Sequence, residues 1–254
     1  MAKTDVANRF IWLKGEIMNV NSAMVNVLSP TSQFGLNVFE GIPCYWNDDE
    51  KQLYAFRLSE HYNRLLRSAK LIQIDCKYSK EDFKKALVDT VRANEYDENL
   101  SPRIKCGANY INSRVGQREA LRNGYDTCIF LNDKGKVAEG PGSCFFMVKD
   151  HTLITPQLTD SVLESITRDT IIQIAQKELG LNVVERTIDR TEVYLADEAF
   201  LCGSAMEITP ILTIDGYMLG NGAAGENTKK IHKAYLDAVR GFNKNRRDWL
   251  TPIY

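Results

Sequence analysis

The chain has 254 residues, enough for one large domain or two small ones, and its 44% hydrophobic content is ordinary for a globular protein with a buried core. Lys and Arg (32) nearly balance Asp and Glu (33), and no basic run stands out, which argues against a nucleic-acid partner. No apolar run approaches the roughly 18 residues of a membrane span, and no signal-peptide core follows Lys3. We therefore expect a cytoplasmic protein that binds neither nucleic acid nor membrane.

The N-terminal part alternates short strands with two helices. A strand pair is predicted around residues 10–20, a glycine-rich turn at 34–41 and a strand near 54–56. Apolar residues recur at helical spacing from Leu58 to Ile72, and a second amphipathic stretch, 80–93, follows a Ser79-x-x-Asp82 capping box. This pattern predicts a small α+β domain over residues 1–100.

The pattern changes after a Ser101-Pro102 break. A helix is predicted over residues 115–122, apolar strands at 127–131 and 144–148, and a helix at 167–179 that Gly180 closes. Turn residues at 132–135, 215–216 and 221–222 separate these elements. We assign residues 101–254 to a second, larger domain.

The six cysteines are scattered singly, and the chain has only three histidines. Because no C-x-x-C pair or Cys/His cluster occurs, the sequence predicts neither disulfides nor a metal site.

Two segments offer donors to an anion. Residues 165–169 begin a predicted helix, whose first N–H groups and dipole attract phosphate, although a plain N-cap accounts for the same residues. Residues 202–207 form a small-residue turn that could bring backbone and hydroxyl donors to a ligand, or could simply be a tight turn. Together they favour an anion site, because a phosphate needs several convergent donors.

Two ionisable residues are candidates for cofactor chemistry. Glu139 precedes Gly140-Pro141-Gly142, where glycines permit a planar ring to approach a carboxylate, although a strand-end Glu is often just solvated. Lys105 lies among small and apolar residues, and burial favours the neutral amine that a Schiff base requires. A surface lysine with a packed stem is the alternative.

Six segments in order resemble the class IV pyridoxal-phosphate aminotransferases, specifically branched-chain amino-acid aminotransferases. The similarity extends to residues 249–254 at the end of the chain and so covers nearly all of it. The segments are Val38-Phe39-Glu40-Gly41, Phe56-Arg57-Leu58-x-Glu60-His61-x-x-Arg64-Leu65, Lys105-x-Gly107-x-Asn109-Tyr110, Val137-Ala138-Glu139-Gly140, Ile166-Thr167-Arg168-Asp169 and Glu207-Ile208-Thr209-Pro210.

The resemblance implies an α+β, two-domain fold-type IV enzyme, with a small α/β domain and a larger pseudo-barrel domain that binds pyridoxal 5'-phosphate. It implies a Schiff base on Lys105, a Glu139 carboxylate that keeps the pyridine nitrogen protonated, and a Tyr110 hydroxyl near the 3-oxygen. The residues that it implies for the phosphate are Arg64, Ile166, Thr167 and Ser204.

For the substrate, the resemblance implies that N–H groups of Gly203, Ser204 and Ala205 bind the carboxylate. Phe34 and Phe39 would line the apolar side-chain pocket. Because a methylene contributes only about 1 to 3 kcal/mol to discrimination, we expect Leu, Ile and Val all to react with 2-oxoglutarate. The resemblance also implies a homodimer.

The chain departs from its family at four places. Phe34 stands where many relatives have tyrosine, Ser204 where many have threonine, and Ser165 where many have glycine. Relatives also carry several dozen more residues between Leu100 and the lysine motif, including a Tyr-Ile-Arg-Pro strand. If Leu100 is bonded directly to Ser101, the small sheet loses a strand and the pocket one wall, which should destabilise the fold and weaken substrate binding.

Three other functions remain open from the sequence. D-amino-acid aminotransferase and aminodeoxychorismate lyase share the lysine, the glutamate and the phosphate groups, although residues 38–41 and 249–254 favour the branched-chain type. A cofactor-binding pseudoenzyme is the third, motivated by the missing segment.

Overall fold

The structure, a computed structural model, describes residues 8–96 and 109–254. The described residues divide into two compact units, one of residues 8–96 with 239–254 and the other of residues 109–238. The sequence pattern assigned the C-terminal residues to the larger domain. They group with the first unit instead, because the strand Leu250–Pro252 pairs antiparallel with the strand Gln52–Phe56.

The described residues contain both helices and strands. The helices are α1 (Pro30–Phe34), α2 (Leu58–Leu71), α3 (Lys80–Ala93), α4 (Asn109–Arg122), α5 (Ile166–Lys177) and α6 (Glu226–Val239). The strands are β1 (Phe10–Leu13), β2 (Glu16–Asn19), β3 (Cys44–Asn47), β4 (Gln52–Phe56), β5 (Glu139–Gly140), β6 (Ser143–Lys149), β7 (Thr152–Thr155), β8 (Asn182–Glu185), β9 (Glu198–Gly203), β10 (Glu207–Ile211), β11 (Thr213–Ile214), β12 (Tyr217–Met218) and β13 (Leu250–Pro252). Among these residues no helix is long and apolar enough to cross a membrane.

The first unit is built on a three-stranded antiparallel sheet in the order β13-β4-β3. Leu53 and Ala55 of β4 pack with Leu58 and Tyr62 of α2 and with Val91 of α3 in one hydrophobic core. The capping box predicted for α3 is present, and the helix spans the predicted residues 80–93. The alternation of apolar residues on β4 and the helical spacing on α2 thus meet in a single core.

The second unit is built on a six-stranded sheet. Its main path is β10-β9-β6-β7-β8, and β5 pairs with β6. Strands β7 and β8 are parallel, and α5 is the crossover between them, as a parallel pair requires. Phe145 and Met147 face one hydrophobic core, whereas Phe146, on the other face of β6, stacks on Phe200 with ring centroids 5.1 Å apart.

Two predicted elements of the second unit differ from the structure. Helix α4 begins at Asn109, before the predicted residue 115. The prediction of a strand at 127–131 is wrong, because the segment makes scattered bonds instead of a regular ladder. Phe130 exchanges backbone hydrogen bonds with Glu139 and Ala138, and only Leu131 forms a bridge, to Val137.

Candidate active site

Glu139 lies in a row of residues that crosses three strands of the second unit. It is opposite Cys144 on β6, and Cys144 is opposite Cys202 on β9. One carboxylate oxygen of Glu139, Oε2, accepts a hydrogen bond from the backbone N–H of Leu163 at 3.1 Å. This bond ties the acid to the loop that leads into α5.

The thiol of Cys202, the last residue of this row, is electrically neutral at ordinary pH. Burial raises the pKa of Cys202 well above its usual value, and the neighbouring Cys144 adds to the effect. A neutral thiol adds no charge to the row.

The start of α5 is well anchored. Ser165 is the N-cap, and its hydroxyl accepts a hydrogen bond from the N–H of Arg168 at 3.3 Å. Ile166 and Thr167, both buried, are the first two helical residues, whose N–H groups have no partner within a helix. The Arg168 guanidinium is buried and donates from Nη2 to the Pro156 carbonyl at 2.8 Å and to Glu185 at 2.7 Å.

The sequence alone indicates no role for Arg168. The structure shows that it joins the first turn of α5 to the segment after β7 and to the end of β8. Only its place inside the quoted Ile166–Asp169 segment could have drawn attention to it, because the sequence does not indicate that an arginine is buried.

The turns at Gly142 and Gly203 lie against each other. A Cβ atom on Gly203 would be 3.2 Å from the carbonyl oxygen of Gly142, a tight contact with backbone. Gly142 has φ +76°, and an atom of the Tyr110 ring lies 3.4 Å from where its Cβ would be. The structure therefore brings Tyr110 and the turn after β9 against Gly142, in the β5–β6 hairpin to which Glu139 belongs. In that turn Ser204 is half-buried and Ala205 is exposed.

In the first unit, Arg64 forms an ion pair that the sequence analysis missed. Its Nε donates to Oε1 of Glu40 at 2.6 Å and its Nη2 donates to Oε2 at 2.5 Å. Nδ1 of His61 lies 2.7 Å from the same Oε2. Burial alone would raise the pKa of Glu40, but the bonds to Arg64 and His61 outweigh it and hold that pKa below its ordinary value.

The two predicted pocket phenylalanines are also in the first unit. Phe34 ends α1 and is 76% exposed, and Phe39 is half-buried in the following loop. Lys105 and the junction of Leu100 with Ser101 lie outside the described residues. Within the described ranges, no group of three or more His, Cys, Asp or Glu side chains is placed to hold a metal ion.

Comparison with known proteins identifies the family. The sequence model of amino-transferase class IV matches residues 37–106 and 97–214. A probable branched-chain-amino-acid aminotransferase of Aquifex aeolicus is 33% identical over 301 residues, covering 96% of this chain and 97% of that protein. The branched-chain-amino-acid aminotransferase of Escherichia coli K12 is 32% identical over 303 residues, with the same coverage of 96% and 97%.

Solved structures of branched-chain aminotransferases also resemble this chain. A branched-chain amino acid aminotransferase of Thermobaculum terrenum, in its PLP form, superposes with a TM-score of 0.91 at 38% identity, covering 98% of this chain and 99% of that one. The branched-chain aminotransferase of Thermoproteus uzoniensis gives a TM-score of 0.90 at 38% identity, covering 97% and 99%.

The comparisons also bear on the missing segment. The 301 matched residues exceed the 254 residues of this chain, so the Aquifex protein carries residues without a counterpart here. The two family matches overlap over residues 97–106, so the discontinuity falls within this stretch, which contains Leu100 and Ser101. With that difference noted, the chain belongs to the class IV aminotransferases, and the relatives that it matches over nearly its whole length are branched-chain amino-acid aminotransferases.

Proposed function

We propose that this protein is a pyridoxal 5'-phosphate-dependent transaminase that converts branched-chain L-amino acids (Leu, Ile and Val) and 2-oxoglutarate into branched-chain 2-oxo acids and glutamate. The observation that carries the proposal is the bond between Glu139 and the Leu163 N–H. It sets a carboxylate beside the loop that leads into α5, whose start offers N–H donors to an anion.

The residues of the second unit fit the cofactor. Glycines at 142 and 203 leave no side chains where their two turns meet, beside the Tyr110 ring. Glu139 would hold the ring nitrogen protonated, and the N–H groups of Ile166 and Thr167 with the Ser204 hydroxyl would hold the phosphate. From the resemblance we assign Arg64 to the same phosphate. When bound, the cofactor supplies a pyridinium electron sink that makes the substrate Cα–H acidic.

Lys105 and Tyr110 would act on the reacting atoms. We assign the Lys105 amine, from the resemblance, to anchoring the cofactor and then to carrying the proton away from Cα. The Tyr110 hydroxyl would donate to the cofactor's 3-oxygen and so fix the ring angle. Both roles require a side chain close to Glu139. Of Lys105 and Tyr110, the structure describes Tyr110.

Substrate recognition would divide into a polar part and an apolar part. The N–H groups of Gly203, Ser204 and Ala205 would bind the substrate carboxylate, because a turn of small residues presents several amides to one anion. Phe34 and Phe39 would contact the aliphatic side chain. A pocket of this kind accepts Leu, Ile and Val alike.

The experiment is a coupled assay of the purified protein with added cofactor. We expect glutamate to form from L-leucine and 2-oxoglutarate, and expect no product with Lys105→Ala. D-alanine is the control amino acid, because a D-amino-acid aminotransferase would use it. Turnover of D-alanine without turnover of L-leucine would contradict the proposal.

A second candidate is a cofactor-binding protein without transaminase activity. The observation in its favour is that the relatives carry residues that this chain lacks between positions 97 and 106. The same assay distinguishes the two candidate functions, because the second predicts that the protein binds the cofactor but forms no glutamate.

We also propose that the protein is a cytoplasmic homodimer. Four apolar residues of the loop before and within α1 are more than two thirds exposed, namely Met24, Val27, Leu28 and Phe34. An apolar patch of this kind often marks a protein interface. The five described cysteines are free thiols. Light scattering during gel filtration tests the dimer, and a monomer at micromolar concentration would contradict it.

A further inference from the structure

We propose that the second unit has an open position for one more β-strand, between residues 129–131 and β10, and that an extended apolar peptide binds there. We call this position the strand slot. The peptide that we expect to bind is part of the stretch that the relatives carry and this chain lacks. The inference concerns the second unit by itself and does not depend on the proposed activity.

Residues 129–131 form the first edge of the strand slot. Phe130 exchanges backbone hydrogen bonds with residues 138–139, and the bridge between Leu131 and Val137 is made by hydrogen bonds of the residues beside them. Neighbouring residues of an extended chain direct their N–H and C=O groups to opposite sides, so those of Leu131 point away from this pairing. No backbone group of the described residues binds them there. This side of the predicted strand is therefore unpaired, which explains why the segment forms no regular ladder.

Strand β10 forms the second edge of the strand slot. It is the end strand on the main path of the six-stranded sheet, so no described strand pairs with its outer side. Pro210 lies in β10, and proline occurs in sheets chiefly on edge strands because it has no N–H to donate. From β10 the sheet continues through β9 and β6 to β5, to which Phe130 is bonded. A strand in the slot would join the two ends of this run and remove both unpaired edges.

The two edges border one cavity of about 420 Å³. Ile129, Ile211 and Ile214 line the cavity, and each packs against the hydrophobic core of the second unit while it remains partly exposed. An extended chain directs every second side chain to the same face, so a strand in the slot would place alternate apolar side chains on these isoleucines. Backbone pairing together with pockets for alternate side chains is the way in which a sheet edge binds a peptide.

The length of the relatives favours a peptide of the kind that they contain. The match with the Aquifex protein spans 301 residues against 254 here, and the difference falls within residues 97–106. Helix α4 begins at Asn109, shortly after this point, and its Gly116 and Ala120 line the cavity. The extra residues of the relatives thus join the chain next to a helix that borders the strand slot. A small apolar molecule is a poorer occupant, because it would leave the backbone groups of both edges unpaired.

The test measures whether the purified protein binds peptides of this origin. Overlapping fluorescent peptides, each of about ten residues, cover the stretch of the Aquifex protein that has no counterpart here. We expect fluorescence anisotropy to show binding of one peptide, or of two that overlap, with a Kd of roughly 10 to 100 µM. A scrambled version should bind at least roughly tenfold more weakly. No binding by any peptide at about 1 mM, or equal binding of the scrambled version, would overturn the inference.

Methylation of the peptide backbone tests strand pairing directly. A methyl group on every second backbone nitrogen removes the donors that face one edge of the strand slot and leaves all side chains unchanged. Two versions, methylated at the two alternate sets of nitrogens, should each bind the parent protein roughly tenfold more weakly or worse. A peptide that binds as tightly when it is methylated is held by its side chains alone, and that result would overturn the inference.

Leu131→Glu tests where the peptide binds. Leu131 lines the cavity and is 42% exposed, so a charged side chain there should obstruct the strand slot while the protein still folds. We expect roughly tenfold weaker binding of the peptide. Val183→Glu is the matched control and should bind as the parent does, because Val183 is half-buried on β8, at the other end of the main path of the sheet.

Equal binding by Leu131→Glu and the parent would place the peptide elsewhere and overturn the inference. The methylated peptides require only the parent protein, so they decide the question even if Leu131→Glu does not fold.

Discussion

The carboxylate of Glu139 is held by the backbone N–H of Leu163 at 3.1 Å. Leu163 comes two residues before Ser165, the N-cap of α5, so the acid and the start of the helix are linked by a short stretch of chain. This bond connects the group that we assign to the ring nitrogen with the chain segment that leads to the amides that we assign to the phosphate.

Replacing Glu139 by glutamine tests the role of the acid in catalysis. The Leu163 N–H keeps an acceptor, so we expect the cofactor to bind with nearly its original affinity. Proton removal from the substrate should slow by several orders of magnitude, because the ring nitrogen loses the group that protonates it. The measurement is kcat together with the absorbance of the bound cofactor. A variant as fast as the parent would remove Glu139 from the mechanism.

Replacing Ser165 by alanine tests the helix start. The hydroxyl that accepts from the Arg168 N–H is lost, and the free energy of unfolding should fall by about 1 kcal/mol. Ser165→Asn is the control, because asparagine is also a good N-cap and should restore most of the loss. Urea denaturation of the apoprotein measures both. Equal stability of the alanine variant and the parent would show that the cap does not contribute.

Replacing Gly203 by alanine tests the turn that we assign to the substrate carboxylate. The new Cβ would lie 3.2 Å from the Gly142 carbonyl oxygen, and backbone atoms cannot swing aside as the end of a side chain can. We expect the two turns to separate by a few tenths of an ångström. The KM for L-leucine should then rise roughly tenfold, which corresponds to about 1.4 kcal/mol. Unchanged KM with lower stability would show that the turn packs but does not bind substrate.

The pKa of Glu40 predicts how the stability of the protein changes with acid. Its pKa is lowered on folding from an ordinary value of 4.5, so the charged form stabilises the folded state. That contribution is complete above the unfolded value and is lost as the pH falls through the lowered, folded value. The stability difference between the parent and Glu40→Gln should therefore be constant near neutral pH and shrink in this acidic window. Denaturation curves across the window measure it, and a difference that grew with acid would contradict the assignment.

Local signals in the sequence predicted the local structure well. The capping box at Ser79 and Asp82 and the apolar spacing behind it fixed α3, because those interactions lie within a few residues of each other. Residues 127–131 show where local signals fail. An apolar run does not reveal whether a neighbouring strand is available to pair with it.

Long-range relationships could not be predicted in the same way. The pairing of β13 with β4 joins residues about two hundred positions apart, and no short pattern encodes it. The ion pair between Glu40 and Arg64 could not be predicted for the same reason. In the sequence, each of these two charged residues looks like an ordinary exposed one. The ordered motifs of the family contain both Arg64 and Glu40, but they do not show that these two residues pair, nor that the Leu163 N–H binds Glu139.

The central claim is that the corner formed by Glu139, Tyr110 and the start of α5 holds a cofactor that accepts an amino group from a branched-chain amino acid. The most direct test is one absorption spectrum of the cofactor-loaded protein, taken before and after L-leucine is added without any 2-oxo acid. We expect the yellow band of the aldehyde form to disappear and the band of the amine form to replace it. A bound yellow band that L-leucine leaves unchanged would contradict the claim.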